Sequence, residues 1–192
     1  MNKHNFAPTI LRAYDIRGIY QDTLTEADAH AIGMAFIATL RQRGHGVTVA
    51  VGRDGRLSSP ALAAALIDGL VQAGGEVRDI GCGPTPMLYF AGVTWQCDGA
   101  IQVTGSHNPP THNGFKMVMN GKSFFGDDIQ QLGQISAAGV ANGNGGSVTE
   151  TAIFDDYVNR LLQQADAGDL SIVWDCGNGA AGPATVAMTQ KL

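Results

Sequence analysis

The chain has 192 residues, 44% of them hydrophobic and 15% charged, and its formal net charge is −5. This acidic balance argues against a nucleic-acid backbone or an anionic membrane surface as the partner. No segment is long and apolar enough to predict a membrane-spanning helix, and no secretory signal is expected. The three scattered cysteines lack C-x-x-C spacing, which favours reduced thiols and predicts a cytoplasmic protein.

Helix and strand patterns alternate along the first part of the chain. Thr25 is the predicted cap of a helix over 26–43 that ends at Gly44. Ser59 is the predicted cap of a second helix, with Pro60 at its first position. The other predicted elements are strands over 47–51, 76–80, 99–103 and 115–119, helices over 87–93 and from Asp127, and a hairpin turn at Asn120-Gly121.

This alternation predicts an α/β fold, with a mixed but mostly parallel sheet that helices cover. The first domain is expected over 1–140, followed by a glycine-rich linker over 141–150. Residues 151–192 predict a helix, a strand over 170–174, a glycine-rich turn and a helix from Pro183. A lone β-loop-α unit of this size cannot bury its own apolar face, so an incomplete second α/β domain is expected there.

A short loop after the strand over 99–103 carries a single serine between glycine and proline residues. Gly105 allows a sharp turn before Ser106, and the following prolines stiffen the loop. The order is not the G-x-S-x-G elbow of α/β-hydrolases. His107 is expected to point away from Ser106, because neighbours on an extended segment face opposite sides. Ser106 could be a nucleophile or phosphate carrier, and alone it could equally be a polar turn residue.

Four polar segments, over 13–18, 52–56, 104–109 and 113–116, are predicted to lie in turns. Two of them directly follow strands, and ligands in α/β sheets bind at the carboxyl ends of strands. Their convergence would form an anion pocket around a hydroxyl group. Surface ion pairs for the arginines, and the polar face of a strand for the lysine, are the alternatives. The residues brought together would be Arg17, Arg53, Arg56, Ser106, His107, Asn108 and Lys116.

In this order the four segments resemble those of the α-D-phosphohexomutase family, and residues 175–182 resemble the opening of that family's second domain. The resemblance covers essentially the whole chain. It implies an enzyme that interconverts hexose 1-phosphates and 6-phosphates of mannose, glucose or both. It also implies a phosphoserine, a 1,6-bisphosphate intermediate, Mg²⁺ as cofactor, and glucose 1,6-bisphosphate or mannose 1,6-bisphosphate as activator.

The resemblance also implies a role for particular residues. Ser106 would carry the phosphoryl group and bind the metal through its phosphate. Lys116 and Arg17 would act as acid/base or charge-stabilising groups, and His107 would complete the catalytic set. The residues expected to bind substrate or phosphate are Tyr14, Arg53, Asn108 and Asn113.

The chain departs from the family pattern because the aspartate-rich metal loop and the loops of the third and fourth domains are absent from it. We therefore expect no turnover by this chain alone. Its expected partners are hexose phosphates, together with either the missing domains or a second copy through residues 151–192. The alternative is a non-catalytic fragment that is phosphorylated or binds a sugar phosphate.

Overall fold

The structure is a computed structural model that describes residues 1–163, 165–166 and 168–192. Strands and helices alternate through most of this part of the chain. In chain order they are β1 (Ile16–Ile19), α1 (Glu26–Gln42), β2 (Thr48–Arg53), α2 (Ser59–Gln72), β3 (Glu76–Cys82), α3 (Thr85–Thr94), β4 (Gly99–Val103), β5 (His112–Met119), β6 (Lys122–Phe124), α4 (Asp127–Ala138), β7 (Ser147–Glu150), α5 (Phe154–Leu162) and α6 (Gly182–Thr189).

All these strands belong to one sheet with the order β1-β5-β4-β2-β3-β7, and β6 also pairs with β5. The pairs β2–β3, β2–β4 and β3–β7 are parallel, whereas β5 is antiparallel to β1, β4 and β6. Among the described strands, β5 is therefore the one that runs against the others, which confirms the predicted mixed, mostly parallel sheet. The ends of β2, β3 and β4 and the start of β5 consequently lie at one edge, here called the carboxyl edge.

Helices cover both faces of the sheet, as predicted. Val49 and Val51 of β2 face the main hydrophobic core, to which α1, α2 and α4 contribute. Between them, Ala50 packs with Leu88 of α3 and Ala100 of β4 on the opposite face. This alternation follows from the two-residue period of a strand, and it decides which side chains at the carboxyl edge can meet.

One of the two predicted helix caps is confirmed. Thr25 accepts a hydrogen bond from the backbone N–H of Asp28, and the Asp28 carboxylate accepts one from the N–H of Thr25. The cap predicted at Ser59 is wrong, because Ser58 occupies the cap position without a capping hydrogen bond. The Ser59 hydroxyl instead donates to Asp54 Oδ1 at 2.5 Å, which ties the start of α2 to the carboxyl edge.

The polar segments were predicted to be turns, but two of them are mostly strand. Residues 16–18 belong to β1, which the sequence analysis did not predict. Residues 113–116 belong to β5, which begins at His112 and is thus longer than the predicted strand over 115–119. The predicted hairpin turn at Asn120-Gly121 is confirmed: both residues have positive φ, and the turn joins β5 to β6.

Part of the predicted linker over 141–150 is a strand. Its last four residues form β7, which pairs in parallel with β3 and extends the sheet. All four side chains of β7 are exposed, so hydrogen bonding along the open side of β3 stabilises it more than burial does. The division into domains at this point stays a prediction.

The helices near the C-terminus pack against the first part of the chain. Ile153 and Val158 of the α5 region and Ala184 of α6 form one buried cluster with Met87 and Ala91 of α3. These two helices therefore bury part of their apolar surface on α3, and the incomplete second domain stays a prediction.

The strand predicted over 170–174 is wrong, because the structure shows no regular element there. Leu170, Val173 and Trp174 are exposed, and no strand of the described chain pairs with this segment. An unpaired strand leaves its backbone polar groups without partners, so the apolar pattern alone does not produce one. Positions 164 and 167 of the predicted second domain lie outside the described residues. Within the described chain, no helix is long and apolar enough to cross a membrane.

Candidate active site

The serine loop, residues 104–111, connects β4 to β5 at the carboxyl edge. Ser106 is exposed and has φ of 53°, a left-handed conformation that non-glycine residues seldom adopt. Its hydroxyl lies 3.3 Å from Nδ1 of His107, within hydrogen-bond distance. The expectation that these side chains point apart is wrong, because it assumed extended backbone at Ser106. The structure therefore gives the serine hydroxyl an adjacent group that can exchange a proton with it.

A single carboxylate, Asp54, joins the serine loop to the turn after β2. Asp54 Oδ2 accepts hydrogen bonds from Thr104 Oγ1 at 2.8 Å and from the Gly105 N–H at 3.2 Å. Asp54 Oδ1 accepts from the Arg56 N–H at 3.0 Å and from the Ser59 hydroxyl. The sequence analysis missed this residue, although an aspartate directly after a buried strand was the available signal.

Arg56 holds the main chain of the serine loop. Its Nη1 donates to the carbonyl oxygens of Pro109 and His112 at 2.7 and 3.0 Å. Its Nη2 donates to those of Ser106 and Asn108 at 3.0 and 2.6 Å. Its Nε lies 3.4 Å from Asp54 Oδ2. The sequence analysis placed Arg56 in an anion pocket, and in the structure its guanidinium group contacts carbonyl oxygens of the loop.

Two predicted cations meet on the face of the sheet that β1 and β5 share. Asp15 Oδ2 lies 2.5 Å from Arg17 Nη2 and 3.3 Å from Lys116 Nζ. Arg17 Nη1 also donates to the carbonyl oxygen of Gly105 at 2.8 Å, which links the pair to the serine loop. Arg17 is buried and its Nε has no hydrogen-bond partner in the described chain, whereas Lys116 is about one-third exposed.

This arrangement follows from strand register. Arg17 stands opposite Gly114, which is two residues from Lys116 on β5, so both cationic side chains emerge on one face. Asp15, which the sequence analysis did not single out, is the group that neutralises part of their charge. Its position directly before β1 could not be recognised while β1 itself was not predicted.

Asn113 was predicted to bind substrate or phosphate, a role that stays a prediction, and in the structure its side chain contacts protein groups. The residue is fully buried, and its Nδ2 donates to the hydroxyls of Ser58 and Ser59 at 2.8 and 2.9 Å. Its Oδ1 accepts from the N–H of Gly114. Asn113 lies three residues before Lys116 on β5, so the two side chains are on opposite faces of the sheet. Asn113 faces α2 and connects β5 to the start of that helix.

Arg53, also predicted to bind phosphate, lies away from Ser106. It is next to Asp54 on β2 and therefore faces the opposite side of the sheet, where Val49 and Val51 also point. It lines a groove of about 540 Å³ together with Pro60, Asp79 and Glu150. This groove is separate from the cavity beside the serine, so the structure does not support the predicted contact of Arg53 with a phosphoserine.

Two further predicted residues flank the serine. Asn108 closes the loop, since its Nδ2 and its backbone N–H both donate to the Gly105 carbonyl oxygen, at 3.2 and 3.1 Å. It shapes the loop through the main chain. Tyr14 lies on the bend before β1, next to Asp15, and is 82% exposed. The structure thus leaves its ring accessible to a ligand, and its binding role stays a prediction.

A cavity of about 740 Å³ opens beside Ser106 at the carboxyl edge. Its walls come from the ends of β2, β3 and β4 and, across the opening, from the glycine-rich turn over 177–181. Gln102 lies at its base with Nε2 donating to the Gly83 carbonyl oxygen, while its buried Oε1 has no hydrogen-bond partner among the described residues. The cavity therefore combines the exposed Ser106 hydroxyl with a buried acceptor.

The described residues do not by themselves fit a Mg²⁺ site. Within the described part of the chain, no three histidine, cysteine, aspartate or glutamate side chains are grouped so that they could hold a metal ion. Asp54 is the carboxylate that contacts the serine loop, and both of its oxygens already accept hydrogen bonds from protein groups. Metal ligands other than a phosphorylated Ser106 would have to come from outside these residues.

The comparisons with known proteins agree with this fold. A family model described as phosphoglucomutase/phosphomannomutase, alpha/beta/alpha domain I, matches residues 8–141. A phosphomannomutase/phosphoglucomutase of Pseudomonas aeruginosa is 45% identical over 182 residues, and the match covers 92% of this chain and 39% of that relative. A phosphoglucomutase of Neisseria meningitidis serogroup B is 41% identical, with 93% and 39% covered.

Solved structures give the same result. A crystal structure of a phosphoglucomutase/phosphomannomutase family protein from Burkholderia thailandensis aligns with a TM-score of 0.83 and 41% identity, covering 96% of this chain and 42% of that one. A putative phosphomannomutase from Thermus thermophilus aligns with a TM-score of 0.73 and 28% identity, covering 84% and 37%.

The fold and the serine loop define an α/β/α domain that presents a serine at its carboxyl edge. The chain belongs to the phosphoglucomutase/phosphomannomutase family, and the resemblance noted in the sequence is confirmed. The chain spans about two fifths of the length of the curated relatives it matches.

Proposed function

We propose that this chain supplies the phosphoryl-carrying domain of a phosphohexomutase. The enzyme would be an isomerase that interconverts hexose 1-phosphate and hexose 6-phosphate, with mannose phosphates, glucose phosphates or both as substrates. The observation that carries the proposal is the Ser106 hydroxyl, which is exposed on a tightly hydrogen-bonded loop beside a cavity. The names of the matched relatives support the same reaction.

The proposed cycle begins with a phosphoryl group on Ser106. A sugar hydroxyl oxygen attacks the phosphorus, the bond from phosphorus to Oγ breaks, and the hydroxyl proton passes to a base. Oγ takes up one proton as it leaves, and His107 Nδ1, 3.3 Å away, can supply it. The resulting 1,6-bisphosphate then presents its other phosphoryl group, and the same exchanges in reverse return that group to Ser106.

The cations near the loop suit this chemistry, because phosphoryl transfer depends mainly on positioning and charge neutralisation. A phosphoserine carries a charge of about −1.5 to −2 at neutral pH. Lys116 is partly exposed and can approach a bound phosphate, whereas the buried Arg17 acts through its contact with Gly105. Asp15 holds both cations in place.

Mg²⁺ belongs to the proposal as a cofactor, with glucose 1,6-bisphosphate or mannose 1,6-bisphosphate as activator. When bound, Mg²⁺ would neutralise charge on the phosphoryl oxygens. We also propose the cytoplasm as the location, which the three free cysteines support.

Phosphorylation of Ser106 is the direct test. The chain is incubated with glucose 1,6-bisphosphate and Mg²⁺, and intact mass spectrometry followed by peptide mapping locates any added phosphoryl group. We expect one group on Ser106 and none in the Ser106→Ala variant. A chain that stays unmodified under saturating bisphosphate, while it binds the compound, would contradict the carrier role.

A second candidate is a fragment without turnover that accepts a phosphoryl group or binds a sugar phosphate. The observations that favour it are the 39% coverage of the matched relatives and the lack of a metal-binding cluster in the described chain. Mutase turnover, measured for this chain and for one extended through the remaining length of its relatives, separates the two. If the long chain alone shows turnover, the short chain is a fragment without turnover. If neither chain shows turnover, the mutase proposal is contradicted.

We further propose hexose phosphates as the ligands, and either the remaining domains or a second copy as the protein partner. The exposed apolar residues Leu170, Val173 and Trp174 support association with a second copy. Light scattering that shows a monomer at high concentration would contradict self-association.

A further inference from the structure

The Arg56 side chain uses most of its hydrogen-bonding capacity within the protein. A guanidinium group has five N–H donors. Four of the contacts of Arg56 go to carbonyl oxygens of the serine loop and its end, and the fifth contact goes from Nε to Asp54 Oδ2. The side chain is 16% exposed, and Asp54 offsets its charge. The two Nη groups of Arg56 are thus engaged by the serine loop.

The contacts of Arg56 surround the strained part of the loop. Ser106 has a left-handed backbone, and its carbonyl oxygen accepts a hydrogen bond from Nη2. The other three bonds from Arg56 go to the carbonyl oxygens of Asn108, Pro109 and His112. Gly105 is packed against the guanidinium group. A Cβ at this position would overlap Arg56 and lie 2.7 Å from the His112 carbonyl oxygen. The loop and the arginine therefore fit each other closely.

We propose that Arg56 is the positioning residue of the phosphoryl carrier. It fixes the main chain of the serine loop so that the Ser106 hydroxyl faces the cavity and the His107 ring stays beside it. It acts through the backbone and does not touch the substrate. The proposal rests on the proposed phosphoryl-carrier role of Ser106, and a forked donor is essential to it because one group must reach four carbonyl oxygens.

Three variants of the full chain test this role. Arg56→Lys keeps the positive charge and loses the fork, and Arg56→Ala leaves a space that methylguanidinium can enter. Arg43→Lys is the matched control, because Arg43 is also an arginine with several hydrogen bonds, but its partners are Asp128 and Gln131 of α4 and not the serine loop. Circular dichroism and thermal melting establish that each variant is folded.

Hydrogen exchange measures the position of the loop without requiring any reaction. The N–H groups of Gly105, Ser106, Asn108 and His112 are hydrogen-bonded and report on the loop. In Arg56→Lys we expect these amides to exchange faster while the amides of β2 and β4 keep their protection. Arg43→Lys should leave the loop unchanged. Unaltered exchange in the loop, or an equal rise over the whole sheet, would overturn the proposal.

The rate of Ser106 phosphorylation by glucose 1,6-bisphosphate is the second measurement. We expect Arg56→Lys to lower the rate at saturation by about a hundredfold, the effect of a small misplacement of a reacting group. The half-saturating concentration should stay the same, and methylguanidinium should restore much of the rate in Arg56→Ala. An unchanged rate, or a weakened affinity with a normal rate, would contradict positioning. A parent chain that is never phosphorylated contradicts the proposed function, and hydrogen exchange then decides the role of Arg56.

Discussion

Two turns that each lead from an apolar segment into a helix differ in structure. The first, residues 54–58 between β2 and α2, follows a strand with partners on both sides, and its Asp54 and Arg56 make many hydrogen bonds. The second, residues 175–181 before α6, follows an unpaired and exposed segment. Its Asp175 accepts a bond from the N–H of Gly177, a local contact.

A turn of this kind becomes a rigid site through the strands that flank it. Asp54 accepts hydrogen bonds from Thr104 and Gly105 because β4 lies beside β2 and brings these two residues within reach. No strand in the described chain brings equivalent groups to Asp175. Four experiments compare the first part of the chain with residues 151–192.

Removal of the two aspartates should give the largest difference. Asp54→Ala leaves the partly buried Arg56 without its counter-charge and several donors without an acceptor, so we expect a loss of about 3 kcal/mol in the free energy of unfolding. Asp175→Ala should cost no more than about 0.5 kcal/mol, as for most exposed positions. Urea unfolding measures both. Equal losses would mean that the two turns are equally integrated into the fold.

Two glycines provide a steric test of intermediate size. Gly105→Ala should cost about 2 kcal/mol, because the added methyl group meets Arg56 and the His112 carbonyl oxygen. Gly182→Ala, at the start of α6, meets nothing within 4 Å and should stabilise by about 0.5 kcal/mol through the unfolded state. Urea unfolding again gives the values. A loss at Gly182 as large as that at Gly105 would show tight packing in the second turn.

The attachment of α5 to α3 should have a smaller but measurable effect. Val158 is 1% exposed within the cluster that joins these helices, so Val158→Ala should cost about 1.5 kcal/mol. Leu161→Ala, on the same helix but 37% exposed, serves as the control and should cost less. Limited proteolysis should also cleave the Val158 variant sooner within residues 151–192. Identical behaviour of both variants would contradict the packing of α5 on α3.

The sequence predicted most of the first domain because its elements carry local signals. Thr25 and Asp28 can cap a helix from their own spacing, and Asn120-Gly121 specifies its own turn. The missed β1 has only four residues, and it is a strand because the neighbouring β5 offers a hydrogen-bonding edge. The wrong strand over 170–174 is the opposite case, since its apolar residues have no such edge in the described chain.

The candidate site was predictable in its residue types but only partly in its geometry. Ser106, Arg17 and Lys116 do lie near one another at one edge, as the four segments suggested. The positions of Arg53 and Asn113 could not be predicted, because a strand turns alternate residues to opposite faces, and the register that fixes the faces is a tertiary property. The bond between Ser106 and His107 depends on a left-handed φ that no residue type in the loop specifies.

Thiol reactivity gives the finest comparison. Burial raises the pKa of the Cys97 thiol, which packs beside Ala50 and Ala100 under the sheet. A raised pKa lowers the fraction of reactive thiolate at neutral pH, so an alkylating reagent should modify Cys97 more slowly than Cys176 of the second turn or the exposed Cys82. The Cys97 rate should keep rising as the pH increases beyond the ordinary thiol pKa of about 8.5. Mass spectrometry follows each site, and in urea the three rates should become similar. If Cys176 reacted more slowly than Cys97 in the folded chain, the second turn would be as closely packed as the first. The two turns would then not differ in the way that their flanking strands indicate.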